Sequence, residues 1–176
     1  MALCPGFDLG MAMKKWKAHK TLLIVGEGYD EVAFLNHLKQ FPGVCGQGVE
    51  ITIRNARGKG AAGVIDCAIK LKANAAYDKV VALLDTDTDW TAAVAKLANR
   101  NEVQVLTSEP CLEALLLRVL GKTPGQAKDL KKQFDPYVQN DGTRREDYGE
   151  YFGLPVLQAA RKNEPTIDEL LKLLGL

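Results

Sequence analysis

The sequence lacks the features that would assign it to several large classes of protein. Its cysteines are few, far apart and form no C-x-x-C pair, which argues against structural zinc and a disulfide framework: Cys4, Cys45, Cys67 and Cys111. No apolar run approaches the ~20 residues that span a bilayer. The lysines near the N-terminus follow the weakly apolar start and do not precede an apolar block, as they would in a signal peptide. We therefore expect a cytoplasmic protein with no membrane contact.

An excess of charge of one sign is also missing. The formal net charge of the 176 residues is +1, so attraction to nucleic acid would have to come from a local basic patch. The length suits one domain with a sizeable core. We expect residues 1–18 to form a loose arm, residues 19–120 an α/β domain, and residues 121–176 a helical extension packed on that domain.

What the sequence does contain is an alternation of apolar strand patterns and amphipathic helix patterns. The predicted strands are Thr21–Val25, Val49–Ile53, Lys79–Asp85 and Val103–Thr107; the predicted helices are about 30–41, one after the loop 54–63, about 90–98 and 111–120. Strands alternating with helices favour a parallel sheet. The predicted fold class is therefore α/β: a Rossmann-like three-layer sandwich, with a four-stranded, mainly parallel sheet between two helical layers.

Finer expectations follow from local patterns. Ser108 is expected to cap the helix after the fourth strand, which should be deeply buried, and Trp90, Val94 and Leu97 should face the core. In the extension we predict a basic helix over 126–134, a polar, mobile or lid-like segment over 135–153, and a last helix opened by a capping box over 166–169.

Three aspartates follow the third strand at alternate positions: Asp85, Asp87 and Asp89. In an extended Asp-x-Asp the two side chains lie on the same side of the backbone, roughly 6–7 Å apart. Carboxylates so close repel each other unless a cation or proton lies between them, and hard oxygen ligands suit Mg²⁺ or Mn²⁺. The alternative is a polar turn in which the aspartates cap the following helix.

Three glutamates are expected near the same edge of the sheet. Glu27 directly follows the first strand, Glu31 lies in the first turn of the next helix, and Glu113 lies among apolar residues just past the fourth strand. If the first and third strands are neighbours, Glu27 faces Asp85 and Asp87, because the carboxyl ends of parallel strands meet at one edge. The alternatives are a turn acid, a first-turn acid favoured by the helix dipole, and an acid that reaches solvent.

A basic, glycine-rich loop with Arg54, Arg57 and Lys59 follows the second strand. Its cations would orient a phosphate backbone, and its glycines would allow close approach; a solvated basic loop is the alternative. Neither this loop nor Gly26-x-Gly28 matches a nucleotide-binding motif. The third glycine of the dinucleotide fingerprint is replaced by Glu31, and the Lys lacks the P-loop spacing.

These residues resemble the Toprim domain, which has a Glu after its first strand and an Asp-x-Asp after its third. The matching segments are IVGEGYDEVAFL, with Glu27, and LLDTDTDW, with Asp85 and Asp87. Within that group the chain is similar to RloB-like and overcoming-lysogenization-defect nucleases. SEPCLEALLL resembles the RloB-like S-x-P-C-[FL]-E motif and makes Glu113 a matched position, although Arg118 stands near the end of that helix where a His is expected.

The resemblance implies Mg²⁺- or Mn²⁺-dependent cleavage of phosphodiester bonds in DNA or RNA, in bacterial or phage defence. Asp85 and Asp87 would hold the cation, with Asp89 as a further ligand, and Glu27 would be a ligand or the general acid/base. Glu31 and Glu113 would complete a second metal position. The alternative is a non-catalytic module that grips nucleic acid or a partner through the basic loop; a phosphoacceptor receiver with Asp85 as acceptor fits less well.

Overall fold

The structure is a computed structural model that describes residues 20–44, 48–86 and 89–176. The expected arm, 1–18, lies outside these ranges. The strands are β1 Lys20–Gly26, β2 Val49–Asn55, β3 Lys79–Asp85 and β4 Val103–Ser108. The helices are α1 Tyr29–Lys39, α2 Gly60–Asn74, α3 Ala92–Arg100, α4 Leu112–Val119, α5 Leu130–Phe134, α6 Leu154–Ala160 and α7 Pro165–Leu174.

The four strands form one parallel sheet in the order β2-β1-β3-β4. β3 has the predicted bounds, and the other three strands extend one or two residues beyond their predictions. The sheet prediction is therefore confirmed, and with it the condition that the first and third strands are neighbours.

Both faces of the sheet are covered, because apolar residues point alternately to each side of β1 and β3. Leu22 and Ile24 join the core against α1, α4 and the C-terminal extension. Leu23 and Val25 join the core against α2 and α3. Each such side chain stabilises the fold by about 1.5–3 kcal/mol on burial. The result is the expected three-layer, Rossmann-like sandwich.

The layers correct some local predictions. α4 is deeply buried, as expected. α3 begins at Ala92 with Thr91 as its cap, and Leu97 is 42% exposed, so the prediction that Leu97 faces the core was wrong. Ala98 takes that place in the core, because it lies four residues after Val94 and so shares the buried face of the helix.

The helix starts around α4 and α7 also differ from prediction. Ser108 belongs to β4 and does not cap α4, whose N-cap is Cys111. α7 begins at Pro165 with Glu164 as N-cap and no side-chain cap. The predicted capping box was wrong: the Thr166 hydroxyl donates to the Thr107 carbonyl, 2.8 Å away, and so ties α7 to β4.

The C-terminal extension packs on the face of the sheet that carries α1 and α4. The basic helix expected over 126–134 is reduced to a 3-10 turn followed by α5. Within the segment 135–153, expected to be polar and lid-like, Tyr148 and Phe152 are fully buried. Their rings lie 5.5 and 6.3 Å from that of Phe34. These two rings make the segment part of the core, which corrects the lid prediction there.

Of the helices that the structure describes, none has the length and apolar character needed to cross a membrane.

Candidate functional site

The sheet topology brings the ends of β1 and β3 together. Gly26, the last residue of β1, lies opposite Leu83 of β3, and Glu27 comes next. The Glu27 side chain reaches across to β3, where its Oε2 accepts a hydrogen bond from the backbone N–H of Asp85 over 3.1 Å. Glu27 therefore lies beside Asp85, as the sequence predicted from strand order; the chemical roles of both stay predictions.

The turn that carries Glu27 is held from the β2 side by the basic loop. The N–H of Gly58 donates to the Glu27 carbonyl over 2.8 Å, and the N–H of Ala56 donates to the Gly26 carbonyl over 2.9 Å. The expected cationic loop and the expected acidic edge are therefore joined by backbone hydrogen bonds.

Glu31 lies behind this turn, in the first turn of α1, and is only 6% exposed. Its Oε2 accepts the N–H of Gly28 over 2.7 Å, which is the return arm of a capping box. Burial raises the pKa of Glu31 to about 7, against the lowering effect of its hydrogen bonds to backbone N–H groups, and the negative charges of Asp30 and Glu27 raise it further. The environment of the Glu31 carboxyl therefore disfavours its negatively charged form.

Asp30 and Glu113 face each other across a narrow cleft between the starts of α1 and α4. Burial raises the pKa of Asp30, the charges of Glu113 and Asp141 raise it further, and the charge of Lys131 lowers it. The cleft is closed by residues of the C-terminal extension. Glu113 is half-buried there, so it neither sits in a wholly apolar pocket nor stands free in solvent.

Cys111, the N-cap of α4, carries a thiol that stays protonated at neutral pH. Burial raises its pKa to about 12, and the carboxylates of Glu113 and Asp85 add to the shift. Since the thiolate is the nucleophilic form, Cys111 is a poor candidate for covalent catalysis. The same shift shows that Glu113 and Asp85 both act on one point of this edge.

Thr86, the residue after Asp85, is held by the loop before α4. The Thr86 N–H donates to the carbonyls of both Ser108 and Pro110, each 3.1 Å away, which anchors the end of β3 to the loop before α4. Asp87 lies outside the described residues, and its predicted role as a metal ligand stays a prediction from the sequence.

Asp89 lies on the opposite face of the sheet from Glu31. Its Oδ1 accepts the N–H of Ala61 over 2.7 Å, in the first turn of α2. Gly60 lies directly beneath it, with a φ of +66°, and a Cβ on Gly60 would come within 2.7 Å of that same oxygen. Asp89 therefore caps α2 although it lies 28 residues away in sequence, which gives it a role besides the predicted one as a metal ligand.

The three candidate substrate-binding cations are exposed on the β2 side of the edge. The Arg54 guanidinium donates to the carbonyl of Ile53 over 3.0 Å. The backbone N–H of Arg57, whose φ is +65°, donates to the Asn55 side chain over 2.6 Å. Lys59 is the N-cap of α2. Arg57 and Lys59 line a cleft on this side, so two of the predicted cations share one surface.

Among the residues that the structure describes, no three His, Cys, Asp or Glu side chains are arranged to hold a metal ion. The Glu27 carboxylate nevertheless lies against the backbone N–H of Asp85, and Mg²⁺ keeps several waters and is usually held by one or two carboxylates. The oxygen donors fit Mg²⁺ or Mn²⁺ and do not fit structural zinc, which needs four protein ligands of nitrogen or sulfur character.

Some residues of this edge were not predicted from the sequence. Asp30 and Lys131 face Glu113, and the Tyr148 hydroxyl donates to the carbonyls of Gly142 and Asp30 over 2.8 and 3.3 Å. Burial and the surrounding acids raise the pKa of Tyr148 above its ordinary value. Asp30 could have been predicted, because it is next to Glu31 in the sequence. No sequence pattern places Lys131 and Tyr148 at this edge, because both come from the C-terminal extension.

Comparison of the chain with models of protein families, with curated proteins and with solved structures finds no match.

Proposed function

We propose that this chain is a Mg²⁺- or Mn²⁺-dependent phosphodiesterase that cleaves DNA or RNA, a Toprim-like nuclease acting in the cytoplasm. The observation that carries the proposal is the contact of the Glu27 carboxylate with the start of the acidic turn at Asp85. The Glu27 carboxylate accepts the backbone N–H of Asp85, so two acidic residues that are 58 residues apart in sequence lie side by side at the edge where parallel α/β sheets bind ligands.

The protein groups have distinct roles in this proposal. Asp85, with Asp87 as its partner by sequence, holds the cation, and Glu27 is a further ligand or the general acid/base. A cation held by these residues would supply Lewis-acid chemistry: it would lower the pKa of a coordinated water and neutralise charge on the phosphate. Arg57 and Lys59 hold the phosphate backbone on the β2 side, where the loop is hydrogen-bonded to the Glu27 turn.

The test is cleavage of single- and double-stranded DNA and RNA in Mg²⁺, Mn²⁺ or chelator. We expect Asp85→Asn, Asp87→Asn and Glu27→Gln each to reduce cleavage by about 10²-fold or more without changing the unfolding transition. Glu50→Gln is the matched control, because Glu50 is an exposed acid near the amino end of β2, away from this edge. Cleavage that survives Asp85→Asn, or that persists in chelator, would rule out the proposal.

The second candidate function is a binding module without catalysis. It is favoured by the exposure of Arg54, Arg57 and Lys59 beside the edge. It predicts nucleic-acid binding that tolerates chelator, is lost when these three cations are replaced, and is accompanied by no cleavage under any metal condition. The two functions are separated by a single experiment that measures binding and cleavage on the same substrate with and without Mg²⁺.

A further inference from the structure

We infer that Glu31 is a positioning residue, which holds the Glu27 turn through the backbone of Gly28, and not a ligand of a second cation. This inference rests on the proposed function, because what Glu31 positions is the carboxylate that meets Asp85. It departs from the sequence prediction, which placed Glu31 in a second metal position with Glu113.

The first argument is where the Glu31 carboxylate is used. Its Oε2 accepts the Gly28 N–H at 2.7 Å, and the side chain is almost entirely buried. A carboxyl oxygen can accept a backbone N–H in either protonation state, and in a buried site such a hydrogen bond is not readily exchanged for solvent. The Glu31 Oε2 therefore points at the backbone of the Glu27 turn from the side of α1.

The second argument is how closely Glu31 packs on the two glycines that flank Glu27. A Cβ on Gly26 would come within 2.9 Å of the Glu31 Cβ, and a Cβ on Gly28 would come within 3.0 Å of the Glu31 Oε2. The contact at Gly26 is with the first carbon of the Glu31 side chain and leaves no room for a Cβ, whereas the contact at Gly28 is with the flexible end of Glu31, which a Cβ would push away from the Gly28 N–H. Gly26 is therefore required for Glu31 to lie against the turn, and Gly28 favours the approach of its carboxyl oxygen, so both glycines have a role without a nucleotide ligand.

The third argument is that the turn is held on both sides of Glu27. Gly58 donates to the Glu27 carbonyl on the β2 side, and Glu31 accepts from Gly28 on the α1 side. Between these two attachments the Glu27 side chain extends to the Asp85 N–H. Loss of the Glu31 contact would release one side of the turn, and a shift of about 1 Å in a reacting group can cost 10²-fold in rate.

The positioning role and a ligand role differ in what glutamine does. The side-chain oxygen of glutamine can accept the Gly28 N–H, but glutamine lacks the charge that a metal ligand supplies. We therefore expect Glu31→Gln to retain cleavage within a few fold and Glu31→Ala to lower kcat by about 10–10²-fold, with little change in KM for nucleic acid.

Two readouts are independent of turnover. Mn²⁺ affinity should be close to that of the natural chain in Glu31→Gln and weaker in Glu31→Ala. The amide proton of Gly28, followed by NMR, should move upfield in Glu31→Ala and much less in Glu31→Gln. Leu35→Ala is the control for helix stability, because Leu35 is buried in α1 and contacts the core on that face. All variants are assayed below their unfolding midpoints.

Several outcomes would overturn the inference. If Glu31→Gln lowers Mn²⁺ affinity as much as Glu31→Ala does, Glu31 is a metal ligand. A Gly28 amide that is insensitive to Glu31→Ala means that the contact is absent. Leu35→Ala that loses as much activity as Glu31→Ala means that stability alone explains the loss. If no substrate is cleaved, the proposed function fails, and the inference about Glu31 is decided by Mn²⁺ affinity and the Gly28 amide.

Discussion

The two flanks of the carboxyl edge carry opposite charge. The acidic flank, between β1, β3 and the starts of α1 and α4, contains Glu27, Glu31 and Glu113, which are at least partly shielded from solvent. The basic flank, after β2, contains Arg57 and Lys59, which are exposed. In the proposed function, a nucleic acid would meet exposed cations on one flank and shielded acids on the other. Recognition and chemistry would then be separated by a single turn of backbone, and a chain with a net charge of +1 could attract phosphate locally.

The largest expected effect concerns the burial of the Glu31 carboxyl in the acidic flank, to which the charges of Asp30 and Glu27 add. The pKa of Glu31 in the folded chain is about 7, above its ordinary value of 4.5, so folding favours the protonated form. Its contribution to stability is present below pH 4.5 and is lost as the pH rises through about 7. The groups that face it are Glu27, Asp30 and Tyr148. In metal-free protein the free energy of unfolding should fall over this range, by about 3 kcal/mol at most from this group.

Urea unfolding in chelator at pH 5, 6, 7 and 8 checks this prediction. Glu31→Gln should give a flatter pH profile than the natural chain and a larger free energy of unfolding at pH 8. Glu50→Gln, which replaces an exposed acid, should leave the profile unchanged. Equal slopes for the natural chain and Glu31→Gln would show that the acidic flank is not under this electrostatic stress, and the contrast between the flanks would lose its main support.

A smaller effect is expected on the basic flank. Replacing Arg57 and Lys59 together with alanine should raise KM for nucleic acid by about tenfold and leave kcat largely intact. In a plot of log affinity against log salt concentration, the slope should become shallower by about two, which corresponds to two lost phosphate contacts. Lys96→Ala is the control, since Lys96 is an exposed cation on α3. A fall in kcat with KM unchanged would place these cations in the chemistry and would remove the division between the flanks.

Much of this edge was predictable from the sequence, because it depends on rules that act locally or through strand order. Apolar runs gave the bounds of β3, and the meeting of parallel strand ends gave the approach of Glu27 to Asp85. The two glycines beside Glu27 were visible as a tight turn. The packing of Glu31 is a second reason for glycine at these positions, and it is visible only in the three-dimensional structure of α1.

The remaining features depend on contacts between residues distant in sequence. Tyr148 and Phe152 lie in a segment whose composition is polar, and they are buried against Phe34 of α1 and other residues distant in sequence. Thr166 satisfied a capping pattern, yet its hydroxyl bonds to Thr107 of β4 instead. In each case a contact with a residue distant in sequence overrode the local pattern, and the neighbouring residues give no sign of that contact.

The smallest expected effect concerns Asp89, an acid from the aspartate series that lies on the basic flank beside Lys59 and caps α2. A capping carboxylate accepts an N–H that would otherwise lack a helical partner and lies at the positive end of the helix dipole. Asp89→Ala should therefore lower the free energy of unfolding by about 1 kcal/mol.

Asparagine separates capping from metal binding at this position. Asp89→Asn keeps an oxygen for the Ala61 N–H and should retain most of the stability that Asp89→Ala loses. Urea unfolding measures that difference, and Mn²⁺ titration of the same two variants measures any loss of affinity. If Asp89→Asn weakens Mn²⁺ binding as strongly as Asp85→Asn does, Asp89 belongs with the ligands in function as well as in sequence. Asp89 would then belong to the acidic flank, and the boundary between the flanks would lie between Asp89 and Lys59, on the α2 side of the sheet, and not at the Glu27 turn.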